Sequence, residues 1–211
     1  MQVRIYKDAA TVAKAAAAVF ADEITKKDGC VIGLATGSTP VPTYQELIRL
    51  NKEGVVDFSK VISYNLDEYV GLAPDHPCSY RRFMNEQLFD HINIDKANTH
   101  VPDGLKCNTA EYEEMIHQAG GVDLQLLGIG TDGHIGFNEP ADEFVYPTNI
   151  VKLTEGTRKD NARFFNSLDE VPTSAISMGI GTIMSARRIL MIITGKNKAD
   201  TVVAALKGPV V

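Results

Sequence analysis

The 211-residue sequence predicts a single-domain α/β protein in which helices flank a mostly parallel, twisted sheet. Short apolar runs alternate with helix-like stretches along the whole chain, and no repeat or linker divides it. Polar clusters follow the ends of the apolar runs. Apolar residues make up 44% of the chain and charged residues 23%, a balance typical of a globular domain that can bury a large core without disulfides or structural metal.

The first half of the chain alternates strand and helix from the N-terminus. Residues 3–6 are predicted as a short strand, and Asp8 or Thr11 offers the cap of an alanine-rich helix that ends near residue 27. The apolar run 31–35 predicts a buried strand. The segments that follow are predicted as helix 42–52, strand 61–66 and helix 79–89.

The second half continues the alternation with stronger apolar runs. Residues 122–129 predict the most deeply buried strand of the sheet. The other predicted elements are helix 109–118, helix 155–165, strand 175–178, strand 189–194 and helix 197–206.

Charge and cysteine content argue against several classes of protein. The net charge of −6 argues against a general nucleic-acid binder, since a phosphate backbone requires a basic face. Cys30, Cys78 and Cys107 are far apart and odd in number, which favours reduced thiols in the cytoplasm over a zinc ribbon or a redox pair. The run 15–21 is too rich in alanine for a signal peptide, and no stretch reaches membrane-spanning length.

The loop 36–40 follows the apolar strand 31–35, at the edge where ligands bind in open α/β sheets. Gly37 permits close backbone approach, and the hydroxyls of Ser38 and Thr39 next to a helix N-terminus can hold a phosphate. Alternatively, one of these hydroxyls only caps the helix. The loop matches neither a Walker A motif nor a dinucleotide fingerprint, so no nucleotide site is indicated.

Asp67 and Glu68 are adjacent carboxylates where strand 61–66 ends. They cannot both point into one core, and a carboxylate that faces a pocket can act as a base whose pKa is tuned by partial burial. A solvated turn is the alternative interpretation.

The glycine-rich loop 128–140 is the most informative segment, because it places His134 near Asp132 and Glu139. A carboxylate beside an imidazole fixes its tautomer and stabilises its protonated form. No serine elbow accompanies the histidine, and the spacing is not a zinc pattern. We therefore expect His134 to act in acid–base catalysis, and a purely structural role for this histidine is the alternative.

A fourth group of side chains is basic. Arg158 and Arg163 lie on predicted helix 155–165, while Lys196 and Lys198 follow the last predicted strand. Arginine forks match phosphate oxygens, and lysine adds a mobile point charge. Each could also lie on a solvated helix face.

Together these motifs resemble the glucosamine-6-phosphate deaminase family, also described as glucosamine/galactosamine-6-phosphate isomerases. The resemblance is carried by residues 65–72 and 128–140, and it extends to 34–40, 161–165 and 195–199. It implies a Rossmann-like fold of the ribose-phosphate-isomerase and phosphogluconolactonase type. It also implies a cytoplasmic enzyme that converts glucosamine 6-phosphate and water into fructose 6-phosphate and ammonia.

The resemblance implies catalytic roles for four residues. His134, held by Asp132 and Glu139, would catalyse opening of the pyranose ring. Asp67 would then move a proton between C2 and C1 through an enol-amine, after which the amine leaves C2. This chemistry requires no cofactor and no metal.

The phosphate of the substrate would lie against Gly37, Ser38 and Thr39, with Arg163 and Lys198 completing its cage. The implied partner is the small-molecule substrate, without nucleic acid or membrane, in a monomer or a homo-oligomer. The segment 143–152 beside the histidine loop is a candidate lid.

Two other functions fit parts of the pattern. A 6-phosphogluconolactonase would share the fold and the phosphate loop, but residues 135–140 favour the deaminase. A non-catalytic sugar-phosphate sensor would be expected to lose Asp67 and His134. The family usually carries a further strand and helix after the region where residues 1–211 end, so one sheet edge is expected to be unpaired.

Overall fold

A five-stranded parallel sheet forms the centre of the structure, which is a computed structural model that describes residues 1–209. The predicted domain 1–211 extends two residues beyond this described part, and Val210 and Val211 lie outside it. The strands are β1 (Val31–Leu34), β2 (Ile62–Asn65), β3 (Asp67–Tyr69), β4 (Thr99–His100), β5 (Leu124–Leu127), β6 (Asn149–Lys152), β7 (Ser174–Ser177) and β8 (Arg188–Met191). The α-helices are α1 (Ala9–Lys26), α2 (Val41–Lys52), α3 (Tyr80–Met84), α4 (Thr109–Gln118), α5 (Glu155–Asn161), α6 (Ile180–Met184) and α7 (Ala199–Lys207).

The order of the parallel strands is β4-β2-β1-β5-β8, and this order creates a crevice between β1 and β5. After β1 the chain builds β2 and β4 on one side, whereas after β5 it builds β8 on the other side. Ligands bind in open α/β sheets at such a switch point, beyond the carboxyl ends of the strands. The fold therefore brings the loops after β1 and β5 to one place.

Both central strands are wholly buried, as expected for a parallel sheet covered on its two faces. Gly33 pairs with Gln125, whose side chain occupies the space beside it: a Cβ at Gly33 would lie 2.0 Å from Oε1 of Gln125. The two strands depend on glycine at this position to pack around the buried amide.

Helix α1 packs through small side chains. Its buried residues follow the spacing of one helix face, and Asp8, one of the two predicted caps, accepts the N–H of Thr11 at 2.8 Å. The buried residues are Ala13, Ala16, Ala17, Phe20 and Ile24.

A second sheet of three antiparallel strands, in the order β3-β7-β6, adjoins the parallel one. The chain changes sheet at Leu66, whose N–H donates to Leu34 O at 3.1 Å and whose carbonyl accepts the N–H of Met178 at 2.7 Å. Asp67 then pairs with Ser177 in β3 and β7. This small sheet adds an antiparallel layer to the predicted, mostly parallel architecture.

Several predicted elements differ in the structure. Residues 3–6 form no strand, because no other described segment pairs with them, and Val3 and Ile5 are exposed. Predicted helix 79–89 continues from α3 into a wider π-helical turn over Asn85–Phe89, and predicted helix 155–165 ends in a 3₁₀ turn over Ala162–Phe164. Strand 189–194 is shorter than predicted, ending at Met191.

The second half of the candidate lid 143–152 includes strand β6, because residues 149–152 pair with β7 in the antiparallel sheet. Thr148 just before this strand is buried, and its hydroxyl and N–H both donate to Glu113 on α4. These contacts fix the end of the segment to the body of the protein.

Within the described residues, we find no helix that combines the length and the apolar character needed to cross a bilayer.

Candidate active site

A cavity of about 860 Å³ opens at the carboxyl ends of the parallel strands. Its walls come from the loops after β1, β5 and β8, from the start of β3 and from the segment of α5. Seven of the nine predicted site residues line it: Gly37, Ser38, Thr39, Asp67, His134, Arg163 and Lys198. The other two, Asp132 and Glu139, contact the imidazole of His134.

The loop after β1 turns sharply before helix α2. Gly37 adopts φ +96°, a left-handed conformation that favours glycine. Helix α2 begins at Val41 with Pro40 at its cap position, so the hydroxyls of Ser38 and Thr39 precede the helix and line the cavity. Neither hydroxyl caps helix α2 through a side-chain hydrogen bond, which is the alternative that the sequence left open. The loop before the helix N-terminus can therefore accept an anion.

Asp67 is a nearly fully buried carboxyl, with 6% of its surface exposed. Its Oδ1 has no hydrogen-bond partner within the described part of the chain. Burial, reinforced by the nearby charge of Glu68, raises the pKa of Asp67 to about 8. A carboxyl of this kind can exchange a proton near neutral pH.

Glu68 points to the other side of the strand, as neighbouring residues on a strand do. Its carboxylate accepts three backbone N–H groups, those of Tyr69, Tyr80 and Arg81, at 2.9 to 3.0 Å. Of the two adjacent carboxylates, one thus lines the cavity and the other holds the beginning of α3.

His134 and two carboxylates form a cluster in the loop after β5. Nδ1 of His134 lies 2.7 Å from Oδ1 of Asp132, without the alignment of a hydrogen bond, and 4.0 Å from Oε2 of Glu139. Partial burial raises the pKa of Asp132, but the backbone N–H and the imidazole of His134 outweigh it, so that the pKa lies below its usual value. The cluster can support an imidazole that gains and loses a proton.

Gly130 makes room for this cluster. A Cβ at Gly130 would lie 2.3 Å from Nδ1 of His134 and 2.4 Å from Oδ1 of Asp132. The carboxylates and the imidazole also bring one ligand atom each to within 4.8 Å of one another, a spacing that could hold a metal ion. The sequence spacing alone did not indicate this.

Two of the four basic residues line the cavity, whereas Arg158 and the exposed Lys196 do not. Arg163 lines the cavity with its guanidinium 4.7 Å from the ring centre of Phe164, and Lys198 lines it from the segment after β8. Partial burial lowers the pKa of Lys198. The negative charges of Asp132 and Asp160 raise it by less, so that the pKa lies below its usual value. Arg158 instead donates to the carbonyls of residues 168 and 171, a structural role.

Aromatic side chains to which the sequence motifs assigned no role form one wall of the cavity. Tyr80 stacks on Phe137 at 6.1 Å between ring centres, and its hydroxyl lies 3.3 Å from that of Tyr69. Phe165 contacts the edge of the Tyr69 ring. These residues line the same cavity as Asp67 but come from four separate segments, so no single local motif predicts the wall.

The profile of the family described as glucosamine-6-phosphate isomerases/6-phosphogluconolactonase matches residues 7–210. The chain belongs to this family.

Three similar members of the family are each named glucosamine-6-phosphate deaminase. The protein from Shewanella woodyi is 53% identical over 99% of this chain and 80% of its own length. The protein from Clostridium perfringens is 52% identical over 100% and 88%. The protein from Clostridium tetani is 55% identical over 94% and 84%.

Solved structures confirm the predicted fold type. A monomeric glucosamine-6-phosphate deaminase superposes with a TM-score of 0.96 at 43% identity, covering 100% of this chain and 89% of that one. The 6-phosphogluconolactonase of Thermotoga maritima has a TM-score of 0.77 at 22% identity, covering 98% and 89%, which is a likeness of fold.

Proposed function

We propose that this chain is a glucosamine-6-phosphate deaminase, which converts glucosamine 6-phosphate and water into fructose 6-phosphate and ammonia. The observation that carries the proposal is the buried Asp67 in the same cavity as the His134 cluster and the hydroxyl loop after β1. Similar relatives at 52–55% identity bear this name. We also propose a cytoplasmic location, supported by Cys30, Cys78 and Cys107, which are free thiols within the described chain.

In the proposed reaction the phosphate binds first and orients the sugar. Gly37, Ser38 and Thr39 offer a backbone turn and hydroxyls, while Arg163 and Lys198 offer positive charge. Binding of this remote group can hold the open-chain sugar over Asp67.

His134 then opens the pyranose ring by taking the proton of the anomeric hydroxyl and protonating the ring oxygen. Asp132 and Glu139 stabilise the imidazolium that forms between these two steps. The product is an open-chain aldehyde with the amine on C2.

Asp67 next removes the proton from C2 while the C1 oxygen takes a proton from the solvent, which gives an enol-amine. The same carboxyl returns a proton to C1, which leaves an imine at C2. Water adds to this imine and ammonia departs, giving the ketone of fructose 6-phosphate. The surroundings of Asp67 suit this cycle near pH 8, where a carboxyl with a pKa of about 8 is present in protonated and ionised form in similar amounts.

The direct test is to incubate the purified protein with glucosamine 6-phosphate and to measure ammonia and fructose 6-phosphate. We expect both products in equal amounts without added nucleotide, and the same rate after treatment with a chelator. Hydrolysis of 6-phosphogluconolactone in place of ammonia release would identify a lactonase and refute the proposal.

Replacement of Asp67 tests its role in proton transfer. Asp67→Asn should lower kcat by about 10²-fold or more, since a positioned base contributes about 10²–10⁴-fold, and should leave the Kd for the sugar phosphate within a few-fold. The matched control is Asp28→Asn, at an exposed carboxylate paired with Lys60. A variant at Asp67 that kept most of its rate would contradict the assignment.

A further inference from the structure

Glu139 divides its two carboxylate oxygens between the histidine and helix α5. Its Oε2 faces Nδ1 of His134 at 4.0 Å. Its Oε1 accepts a hydrogen bond from the hydroxyl of Thr157 at 2.6 Å and a longer one from Thr154 at 3.2 Å. The orientation of the carboxylate toward the imidazole is therefore set from the opposite side.

The hydroxyl of Thr157 is itself held firmly. Thr157 is 4% exposed, and its backbone N–H donates at 3.1 Å to the hydroxyl of Thr154, which caps α5. The two hydroxyl oxygens lie 2.9 Å apart. This first turn of α5 is thus a fixed platform, and the Thr157 hydroxyl is its shortest contact with Glu139.

The same segment leads to the phosphate end of the cavity. Helix α5 continues into the 3₁₀ turn Ala162–Phe164, which carries Arg163. Thr157 therefore connects the carboxylate that faces His134 with the segment that presents a cation to the substrate.

We propose that Thr157 is a positioning residue for the deaminase reaction: its hydroxyl holds Glu139 so that the free carboxylate oxygen faces His134. The inference rests on the proposed function and adds to it a residue that acts through Glu139. Without the hydroxyl, the Glu139 carboxylate loses its shortest hydrogen bond and can rotate away from the imidazole. Ring opening then slows, while the groups assigned to the phosphate are unchanged.

The test compares Thr157→Val, which removes the hydroxyl at nearly constant volume, with Thr157→Ser, which retains it. Thr43→Val is the matched control, because Thr43 is also fully buried and its hydroxyl has no partner within residues 1–209. Each variant of the 211-residue chain is assayed for ammonia release from glucosamine 6-phosphate, and its melting temperature is measured.

We expect Thr157→Val to lower kcat about ten- to a hundredfold, as loss of a hydrogen bond to a charged group does, with KM within about twofold of the original value. Thr157→Ser should restore kcat to within about threefold, and Thr43→Val should match the unmodified protein. The serine rescue separates positioning from packing, since serine creates the larger void yet keeps the hydroxyl.

Three results would overturn the inference. The first is an unchanged kcat in Thr157→Val, and the second is an equal loss in the valine and serine variants. The third is a rise in KM at constant kcat, which would assign Thr157 to substrate binding. If the unmodified protein releases no ammonia, the proposed function fails and this inference fails with it. If the unmodified protein is active and Thr157→Val is equally active, the inference about Thr157 is refuted while the proposed function stands.

Discussion

At the scale of single residues, burial changes the protonation of the Asp67 carboxyl. A carboxyl in water is ionised at neutral pH, whereas burial and the neighbouring Glu68 raise the pKa of Asp67 to about 8. The folded protein therefore retains a proton at pH 7 that the unfolded chain releases. The same burial that makes the group suitable for proton transfer acts against stability as the pH rises.

This gives a prediction for stability against pH. Folding raises the pKa of Asp67 from its ordinary value near 4 to about 8. Below about pH 4 both the folded and the unfolded protein carry the proton, whereas between about pH 4 and 8 only the folded protein keeps it. Over that window the unfolding free energy of the unmodified protein should fall relative to Asp67→Asn by up to about 1.4 kcal/mol per pH unit. Urea unfolding at pH 5, 6.5 and 8 measures this difference, and parallel pH profiles for the two proteins would contradict it.

Residue by residue, the sequence predicted the polar side chains of the site better than its apolar surroundings. Gly37, Asp67 and His134 follow strand ends, where parallel strands bring loops together regardless of their distance along the chain. Thr157 and Tyr80 do not follow a strand end. Thr157 lies inside predicted helix 155–165, and Tyr80 lies at the start of predicted helix 79–89. Their importance depends on tertiary contacts, which local patterns do not encode.

At the scale of elements, the short helix α3 is held in place by one side chain from a strand. Ser79 caps it locally, and Glu68 accepts the N–H groups of Tyr80 and Arg81 in its first turn. Acidic groups at a helix N-terminus satisfy donors that otherwise lack intrahelical partners. The arrangement also anchors Tyr80 in the aromatic wall beside Asp67.

We therefore expect Glu68→Gln to loosen α3. An amide offers one acceptor oxygen in place of two, so at least one of the backbone N–H groups is left without its partner, at a cost of about 1–3 kcal/mol in unfolding free energy. Denaturant unfolding measures this change. Glu53→Gln, at a half-exposed helix end, is the control and should change stability by less than about 0.5 kcal/mol. Equal stability of both variants would show that the three contacts of Glu68 contribute little.

Elements with strong apolar periodicity were predicted correctly, and elements defined by their partners were not. The buried positions of strand β5 and helix α1 can be read from the apolar residues of these segments alone. Strand β6 alternates intermediate and exposed residues, and it exists because β7 pairs with it. Residues 3–6 have a similar composition but no pairing partner within the described chain, so they remain irregular.

At the scale of the whole molecule, one buried carboxylate joins segments that are far apart in sequence. Asp123, directly before β5, accepts hydrogen bonds from Lys27 at 2.7 and 2.8 Å, from the N–H of Val31 and from Arg187. It thus connects the end of α1 and the starts of three neighbouring strands. Burial raises the pKa of Asp123, but the Lys27 hydrogen bond, the Val31 N–H and the two cations outweigh it, so that the pKa falls below its usual value.

Asp123→Asn should destabilise the whole fold without altering the chemistry. A pKa that is lowered on folding adds stability above about pH 4, and this contribution is lost as the pH falls through the folded value. The variant should lose about 1.5–3 kcal/mol at pH 7, the range for losing a hydrogen bond to a charged group, and the difference should shrink toward pH 3. Unfolding curves at both pH values measure it, with the exposed Asp22→Asn as control. A lower kcat with unchanged stability would contradict this structural role.

Leu66 has a consequence for how such a protein can diverge. Because the chain bonds to Leu34 on one side and to Met178 on the other at this residue, the position of Asp67 is determined by strand pairing in two sheets. The loops around the cavity can therefore lengthen, shorten or exchange side chains while the Asp67 carboxyl keeps its position. New substrate preferences can then evolve through changes at the rim of the cavity, while the buried carboxyl is inherited in the same place.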